Sequence, residues 1–599
     1  MQLPNQTLLS NGVLVHTHWK FEKKMEDSIQ TSLSSPKDRK RVSRTALANI
    51  SFIFSKVNYR TACFQSNSNL LVGLSSLPAR CKNCLESQEG QRRDGPEGLP
   101  QRRKESSRRR EKRRARKKMD SPATTGETKK IAVRSSIVES FRGCGLSGIR
   151  IDKEELKKQL TMPQYLRYAM RDSIRLKDPA GGESRYINRA DGEDSAAPPC
   201  PMVVFINSRS GGRHGPALKE RLQQLMSEEQ VFDLSDVKPH EFVRYGLSCL
   251  EMLAGLGDSC AKETRERIRV MVAGGDGTVG WVLGCLTELR TLVREPVPPV
   301  GIIPLGTGND LSRSFNWGGS FPFAWRSAIK RTLQRASTGT VKSLDSWRVS
   351  LAMPEGTSVK LPHCLKPAEE FSLDQGFEIE GELPEKVASY EGVYYNYFSI
   401  GMDAQVAYGF HHLRDEKPYL ASGPISNKII YSSYSCTQGW FFTPCVSDPG
   451  LRGLKNILRM HIKKVNSSEW EQIAIPTSVR AIVALNLHSY GSGRNPWGKP
   501  KPEYLDKRGF VEADVADGLL EIFGLKQGWH ASFVMVELIS AKHLAQASAV
   551  RLEVRGGRWK NAYMQMDGEP WKQPLSKDFS TYVEIKREPF QSLVISGKK

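Results

Sequence analysis

The chain has 599 residues, enough for two or three domains with their own cores, and its 39% hydrophobic content is ordinary for a soluble protein. No segment approaches the ~20 consecutive apolar residues of a transmembrane helix, which argues against an integral membrane protein. Most of the net charge of +23 lies in the first 118 residues, where 26 Lys and Arg stand against 10 Asp and Glu. The net charge therefore belongs mainly to the N-terminal 118 residues. Its distribution argues against a nucleic-acid-binding face on residues 119–599.

The first 118 residues show few organised signals, and their most distinctive segment is Gln101–Lys118, with 12 Lys or Arg in 18 positions. Such a block repels itself, so we expect residues 1–118 to form a disordered basic extension. The block is a candidate nuclear-localisation, nucleic-acid or anionic-lipid segment, or a solvated spacer.

Eleven cysteines are scattered without a repeating interval. Cys81 and Cys84 form a CxxC pair, but no second pair and no histidines follow at zinc-finger spacing. We therefore predict free thiols in a reducing compartment and no zinc-binding module.

The segment Gln164–Leu176 has apolar residues at helical spacing with arginines between them. This pattern predicts an amphipathic helix, which either docks on a folded domain or lies on a membrane, and we favour docking. The stretch Asp178–Pro201 is rich in Pro, Gly and Ser and is predicted to be a linker.

Three apolar runs each lead directly into a glycine-rich loop, the pattern of buried parallel strands in an α/β domain that binds its ligand at the strands' carboxyl ends. The first run ends at Asn207 and leads to Gly211 and Gly212, before a helix from about Pro216. His214 in this loop is predicted to be a solvated turn residue. The second run begins at Arg269.

The second run ends in Gly-Gly-Asp-Gly-Thr, where Gly274, Gly275 and Gly277 remove every Cβ around Asp276. A helix beginning near Thr278 would aim its positive end at the same place, which favours a phosphate site. A tight β-α connection explains the glycines equally well. The third loop favours the phosphate site, because it adds two more glycines with a hydroxyl, an amide and a carboxylate in Gly-Thr-Gly-Asn-Asp.

Gly-Gly-Asp-Gly-Thr followed by Pro-Leu-Gly-Thr-Gly-Asn-Asp-Leu resembles the catalytic domain of diacylglycerol kinases, and the surroundings from Pro299 to Phe323 look like the plant enzymes. The resemblance extends from about Pro201 to about Val594. It implies an α/β nucleotide-binding catalytic domain, a mainly antiparallel β-sandwich second domain, and an active site in the cleft between them. Strands are predicted in the second domain at Tyr394–Ile400, Val479–Leu487, Leu519–Leu525 and Val550–Val554.

The resemblance also assigns roles to residues. Asp567 would be the general base and Asp276 would lie in the active-site loop. The residues expected to bind ATP are Asn207, Gly211, Gly212, Gly274, Gly275, Gly277, Thr278, Gly306, Thr307, Gly308, Asn309 and Glu569. Asp514, Asp517 and Leu519 resemble a structural Mg²⁺ position, although a polar turn before a strand would show the same pattern.

The predicted organisation is a basic extension (1–118), a helical region and linker (119–200), a catalytic domain (201–342) and an accessory domain (343–599). Because Met119-Asp-Ser-Pro-Ala resembles the start of the plant enzymes, we expect Met119 to be the ordinary first residue. Aromatic residues at Trp317–Arg331 and Tyr431–Phe442 are candidate membrane contacts or core.

The function that the resemblance implies is ATP- and Mg²⁺-dependent phosphorylation of diacylglycerol to phosphatidic acid by a cytoplasmic enzyme at a membrane surface, with no specific nucleic-acid partner. A sphingoid-base or ceramide kinase remains the alternative within the enzyme class, since it shares both loops. A non-catalytic lipid- or nucleic-acid-binding protein with a kinase fold is the alternative outside it.

Overall fold

The computed structural model describes residues 151–187, 196–210, 214–320, 325–369, 386–416, 453–465, 467–498, 500–526, 541–557 and 559–598, without the side chains of residues 214, 325–327 and 414. Several predicted features lie outside these residues. They are the basic extension, the Cys81–Cys84 pair, Gly211, Gly212 and the aromatic cluster Tyr431–Phe442.

The helices are α1 (Lys153–Leu160), α2 (Gln164–Leu176), α3 (Glu183–Ile187), α4 (His214–Leu225), α5 (Pro239–Glu241), α6 (Ser248–Gly255), α7 (Ser259–Arg267), α8 (Asp276–Thr291), α9 (Asp310–Ser314), α10 (Trp325–Thr338), α11 (Met402–Glu416) and α12 (Pro502–Arg508). Phe242–Leu247 is a π-helical segment between α5 and α6, and short 3₁₀ turns occur at Pro179–Gly182, Glu228–Gln230 and Leu454–Asn456. None of the helices in the described residues is long and apolar enough to cross a membrane.

The strands are β1 (Met202–Ile206), β2 (Val231–Asp233), β3 (Arg269–Gly274), β4 (Val300–Pro304), β5 (Val341–Leu344), β6 (Trp347–Pro354), β7 (Lys366–Ala368), β8 (Val387–Tyr394), β9 (Tyr397–Gly401), β10 (Leu458–Lys463), β11 (Trp470–Ile473), β12 (Ala481–Leu485), β13 (Leu520–Leu525), β14 (Lys542–Ala547), β15 (Ala549–Val554), β16 (Asn561–Met566), β17 (Glu569–Pro574), β18 (Thr581–Arg587) and β19 (Ser592–Ile595).

The first sheet has the order β2-β1-β3-β4-β19-β5, and the pairings β2-β1, β1-β3 and β3-β4 are all parallel. Both faces of β1 are buried: Val203 and Phe205 belong to one core cluster, while Met202, Val204 and Ile206 belong to another. This explains the unbroken apolar run in the sequence and confirms the predicted parallel α/β arrangement. The strand β19 was not anticipated there; it pairs parallel to β4 and antiparallel to β5.

Two further sheets are antiparallel, with the orders β11-β10-β15-β18-β6-β8-β7 and β14-β13-β12-β9-β16-β17. Residues from both contribute to one hydrophobic cluster, including Trp347 and Val583 from the first of these sheets and Phe398 and Met564 from the second. Alternate residues of β12, among them Val483, instead join the core of the α/β region. The second of these sheets therefore packs on both neighbours.

The amphipathic segment forms α2 with the predicted bounds, and it docks as expected. Leu166, Ala169 and Met170 are fully buried, and the Tyr165 hydroxyl donates to Asp258 at 2.7 Å. Burying a side chain of leucine or methionine size contributes about 1.5–3 kcal/mol, so docking accounts for the apolar face.

The predicted linker Asp178–Pro201 is partly wrong, because the 3₁₀ turn Pro179–Gly182 and helix α3 occupy its first half. Asp178 caps the turn by accepting a hydrogen bond from the Ala180 N–H at 3.0 Å. Gly182 packs against the backbone of Ala169, where a Cβ would not fit. The glycines in this stretch thus permit close packing.

A single strand over Tyr394–Ile400 was also the wrong prediction. The chain turns at Tyr395 and Asn396, which separate β8 from β9. The other three predicted strands are present as β12, β13 and β15 with small shifts of their ends.

Trp317 is half-buried: it packs against two buried clusters, and its Nε1 donates to the Ile595 carbonyl at 2.7 Å. A membrane role for this residue is therefore not needed to explain it.

Candidate active site

Three loops follow β1, β3 and β4 and meet at the carboxyl edge of the first sheet. The Asn207 side-chain amide lies 3.4 Å from the Thr278 hydroxyl, which joins the first loop to the second. The Leu305 N–H donates to the Gly274 carbonyl at 2.8 Å, which joins the second loop to the third. The structure thus brings together the described residues that the sequence assigned to ATP at these three strand ends.

The second and third loops touch through their glycines. A Cβ on Gly306 would lie 2.7 Å from the Cα of Gly275, and a Cβ on Gly275 would lie 3.2 Å from the Cα of Gly306. A Cβ on Gly306 would clash with the backbone of Gly275, whereas a Cβ on Gly275 would need only a small shift of Gly306. Gly277 is different, because a Cβ there would meet nothing within 4 Å. Free space at Gly277 lies beside the N-terminus of α8, whose partial positive charge favours an anion.

Asn309 fixes the shape of the third loop. It adopts a left-handed conformation with φ of 55°, and its Nδ2 donates to the carbonyls of Gly306 at 2.8 Å and Gly319 at 3.0 Å. Its buried Oδ1 has no hydrogen-bond partner within the described ranges. The side chain therefore holds the glycine loop in place and leaves one acceptor unsatisfied.

Asp276 and Asp310 connect the loops to the second region of the molecule. Asp276 accepts a hydrogen bond from the Asp310 N–H at 2.8 Å. The Asp310 carboxylate in turn accepts from the N–H groups of Gly493 at 2.6 Å and Ser492 at 3.0 Å. Ser492 and Gly493, which follow β12 of the antiparallel sheets, therefore hold the third glycine loop.

Burial and repulsion both act on these carboxylates. Burial raises the pKa of Asp276 to about 7, with further contributions from the negative charges of Asp310 and Asp567. Burial also raises the pKa of Asp310, against the hydrogen bonds from Ser492 and Gly493. Carboxylates crowded in this way favour a nearby cation, because a positive charge relieves their repulsion.

Asp567 lies in the tight turn between β16 and β17. Asp567 and Gly568 have φ of 49° and 84°, as a two-residue hairpin with an Asp-Gly turn requires. The carboxylate accepts three backbone N–H groups, from Tyr395 and Asn396 at 2.8 Å each and from Tyr397 at 3.0 Å. Burial nevertheless raises the pKa of Asp567 to about 6, because the three hydrogen bonds offset only part of the desolvation.

The turn that holds Asp567 packs on helix α8. A Cβ on Gly280 would lie 3.3 Å from the Tyr395 ring and 3.9 Å from the Asp567 Oδ2. Gly280 is four residues after Asp276 and so lies on the same helix face, with Cβ positions roughly 5–6 Å apart. Asp276 and the turn that holds Asp567 therefore lie beside the same face of α8, and the charge of Asp567 contributes to the raised pKa of Asp276.

The Asp514–Leu519 segment is a turn with internal hydrogen bonds. Asp517 accepts from the N–H groups of Leu519 at 2.9 Å and Asp514 at 3.3 Å, while Asp514 accepts from Ala516 at 3.0 Å. Burial raises the pKa of Asp517 to about 6, with Glu521 and Asp514 adding to the effect. The described residues contain no group of three or more His, Cys, Asp or Glu that could hold a metal ion.

Two parts of this site were not predicted from the sequence. One is the turn Tyr395–Tyr397, which the expected continuous strand concealed. The other is Ser489–Gly493, which follows β12 and contains two glycines around Ser492. A strand leading into a glycine-rich turn was the signal that identified the first three loops, and it was available here too.

Comparison with known proteins agrees with this arrangement. Residues 201–341 match the model of the diacylglycerol kinase catalytic domain, and residues 393–570 match that of the diacylglycerol kinase accessory domain. The chain is 65% identical over 490 residues to diacylglycerol kinase 7 of Arabidopsis thaliana, a match that covers 80% of this chain and 100% of the relative. It is 38% identical over 410 residues to diacylglycerol kinase 1 of Oryza sativa subsp. japonica, covering 66% and 80%.

Proposed function

Because this chain belongs to the diacylglycerol kinase family, we propose that it transfers the terminal phosphoryl group of ATP to the free hydroxyl of diacylglycerol, giving phosphatidic acid. The observation that carries the proposal is the meeting of glycine loops and carboxylates around the start of α8. Phosphoryl transfer requires positioning and charge neutralisation rather than covalent chemistry by the protein, and this arrangement supplies both.

In this proposal the glycine loops hold the ATP phosphates. The free space at Gly277 admits an anion to the N-terminus of α8, where backbone N–H groups and the helix dipole attract it. Asn207, Thr278 and the Gly306–Asn309 loop surround that position, while Glu569 contributes from the second region. Gly211 and Gly212 belong to the same proposed set.

Mg²⁺ fits the carboxylates at the same place. Asp276 and Asp310 offer hard oxygen ligands. Burial raises the pKa of both groups, and the charges of Asp310 and Asp567 raise the pKa of Asp276 further, so a cation would stabilise their ionised forms. These two residues would hold the ion. When bound, Mg²⁺ would neutralise charge on the phosphates.

We assign the proton acceptor to Asp567. Its three backbone hydrogen bonds fix the carboxylate in one position. Oδ1 accepts two of them and Oδ2 accepts one, so Oδ2 keeps a lone pair for the substrate hydroxyl. A pKa near 6 leaves the group ionised at neutral pH and able to take a proton. Asp276 is the next candidate, because its carboxylate lies on the same face of α8.

We also propose that Asp514, Asp517 and the Leu519 carbonyl hold a structural Mg²⁺ apart from the transferring phosphate. Two carboxylates three residues apart can share a hard cation whose other ligands are water. The polar-turn alternative rests on the hydrogen bonds within the segment.

The enzyme would work at a membrane surface from the cytoplasmic side, since diacylglycerol resides in bilayers. Each Lys or Arg of the basic segment Gln101–Lys118 that lies near the surface would strengthen binding to anionic lipid by about 1 kcal/mol. The catalytic (201–342) and accessory (343–599) domains would suffice for the chemistry.

One assay tests the function. Radiolabelled ATP is supplied with mixed micelles containing diacylglycerol, sphingosine or ceramide, and separately with a soluble nicotinamide nucleotide. We expect label in phosphatidic acid alone. Label in a sphingoid product would establish the alternative lipid kinase, and no label in any product would favour a binding protein.

A further inference from the structure

We propose that a cavity beneath helix α12 binds an amphiphile with an acidic headgroup. The cavity has a volume of about 560 Å³. Its lining residues are Trp497, Pro500, Lys501, Glu503, Tyr504, Lys507, Ala541 and His543. None of the site carboxylates lines it, so it is distinct from the proposed ATP position. Its size falls in the range of small-molecule sites, roughly 300–1,000 Å³.

Helix α12 lies over this cavity rather than on a core. Tyr504 and Lys507 are three residues apart and share one helix face, with Lys501 at the N-cap on the same side. None of the residues of α12 is buried. The helix is attached at its C-terminal end, where the Arg508 guanidinium donates to the Leu544 carbonyl at 2.7 Å. A helix of seven residues is marginal without packing, so an occupant of the cavity would stabilise it.

The lining indicates the chemistry of the occupant. Most of the wall is apolar, with the rings of Trp497 and Tyr504 and the methyl group of Ala541. Lys501 and Lys507 bring two positive charges to the rim against the single negative charge of Glu503. Lysines cover apolar surface with their methylene stems while their amines reach water. An alkyl chain would contact the rings, and an acidic headgroup would meet the two amines.

A buried imidazole forms part of the cavity wall. His543 is 8% exposed, and its Nε2 lies 2.6 Å from a Glu521 carboxylate oxygen. Its Nδ1 has no hydrogen-bond partner among the described residues. This nitrogen has essentially no solvent-accessible surface, so an occupant of the cavity would contact the apolar wall and the two rim lysines rather than Nδ1.

The cavity wall continues to the catalytic carboxylates through packed rings. Trp497 lies 5.9 Å from Phe523 by ring centroids, Phe523 lies 5.4 Å from Tyr490, and Tyr490 lies 5.1 Å from Tyr397. Tyr397 is one of the donors to Asp567. The occupant would therefore pack against the same aromatic layer that supports the turn holding Asp567.

The test is calorimetric titration of the full chain with dodecyl phosphate below its micellar concentration. Dodecyltrimethylammonium has the same chain with the opposite charge, and inorganic phosphate has the headgroup without the chain. We expect one dodecyl phosphate to bind per chain and the other two probes to bind at least about tenfold more weakly, since charge and chain each contribute 1.4 kcal/mol or more.

Two variants locate the site. Lys501→Glu with Lys507→Glu should weaken dodecyl phosphate binding by at least about tenfold, since it reverses both rim charges. Lys153→Glu with Lys158→Glu makes the same charge change on exposed positions of α1 and should leave binding unchanged. Ala541→Leu fills the apolar wall without altering charge and should also weaken binding.

Equal affinity of the rim variant and the unaltered protein would overturn the proposal. Equal binding of the ammonium amphiphile would exclude an acidic headgroup, and equal binding of inorganic phosphate would reduce the site to a small-anion site. The proposed active site also receives a phosphate and an alkyl chain, so the rim variants, which leave that site unaltered, separate the outcome of this titration from that of the kinase assay.

Discussion

Asp276-Gly277 and Asp567-Gly568 are the same dipeptide in two turns near one face of helix α8, but the surroundings of the two carboxylates differ. Asp276 lies at the start of the helix, beside other carboxylates and next to open space at Gly277. Asp567 lies in a hairpin turn and is held by three backbone N–H groups. The first turn leaves room for a ligand, while the second fixes a functional group. This difference suggests that the first side receives phosphates and the second receives the proton.

The largest loss of activity is expected from a substitution that blocks the proposed phosphate position beside the start of α8. Gly275→Asp places a carboxylate between the second and third loops, where it blocks and repels the phosphates, so we expect activity to be abolished. The fold should survive, because Gly275 is the N-cap of α8 in an extended conformation that aspartate favours. Activity and thermal unfolding are measured together.

Gly275→Ala is the matched control for that variant. It makes the same 3.2 Å contact with the Cα of Gly306 but adds no charge, and it should retain part of the activity. Normal turnover by a folded Gly275→Asp protein would remove this loop from the ATP site.

The next largest loss of activity is expected from removing the charge of Asp567. Asp567→Asn should lower turnover by about 10²–10⁴-fold, the usual contribution of a general base. The amide must turn one NH₂ toward a backbone donor, so we also expect a stability loss of about 1–3 kcal/mol. Turnover is measured at saturating ATP below the unfolding transition, and ATP affinity is measured separately. Equal losses of affinity and turnover would move Asp567 to the nucleotide and metal side.

A smaller effect is expected from a single methyl group in the open space. Gly277→Ala should weaken ATP binding by about 1–3 kcal/mol, the usual cost of overpacking, if phosphates occupy that space. The same change should raise stability by up to about 1 kcal/mol, because alanine favours the helix. Gly284→Ala on the same helix is the control, since its added Cβ would make only an ordinary contact of 3.8 Å with the Tyr395 hydroxyl. Unchanged ATP affinity in Gly277→Ala would place the phosphates elsewhere.

A third Asp-Gly turn is present at Asp517-Gly518, and a still smaller effect on activity is expected from substitutions there. If Asp514 and Asp517 hold a structural Mg²⁺, replacing both with alanine should raise the Mg²⁺ concentration needed for half-maximal activity by a few-fold. The polar-turn alternative gives lower stability at an unchanged Mg²⁺ requirement. A titration of activity against Mg²⁺ beside a melting curve separates the two results.

No effect is expected from removing the extension. A shortened protein beginning at Met119 should keep full turnover in micelles that lack anionic lipid, because residues 1–118 contribute no predicted site residue. A large loss of turnover in such micelles would contradict the predicted division of the chain.

The first sheet and its loops were predictable because the sequence carries their causes locally. Gly275 and Gly306 indicate close approach of two backbone segments. The unbroken apolar runs of β1 and β4 predict strands that are buried on both faces. The contacts of Asp310 with Ser492 and Gly493 were not predictable, since they join residues more than 180 positions apart through tertiary packing. The turn at Tyr395 was not predicted, because its aromatic neighbours have high strand propensity. The hydrogen bonds from this turn to Asp567 are tertiary contacts, and they outweigh that propensity.

The place of β19 in the first sheet has a consequence for biosynthesis. This strand follows both antiparallel sheets in the chain, yet it separates β4 from β5 and supplies the Ile595 carbonyl that Trp317 binds. Domains generally fold as units, and N-terminal segments are synthesised first. The sheet that carries the three glycine loops therefore cannot be completed until both antiparallel sheets have been translated.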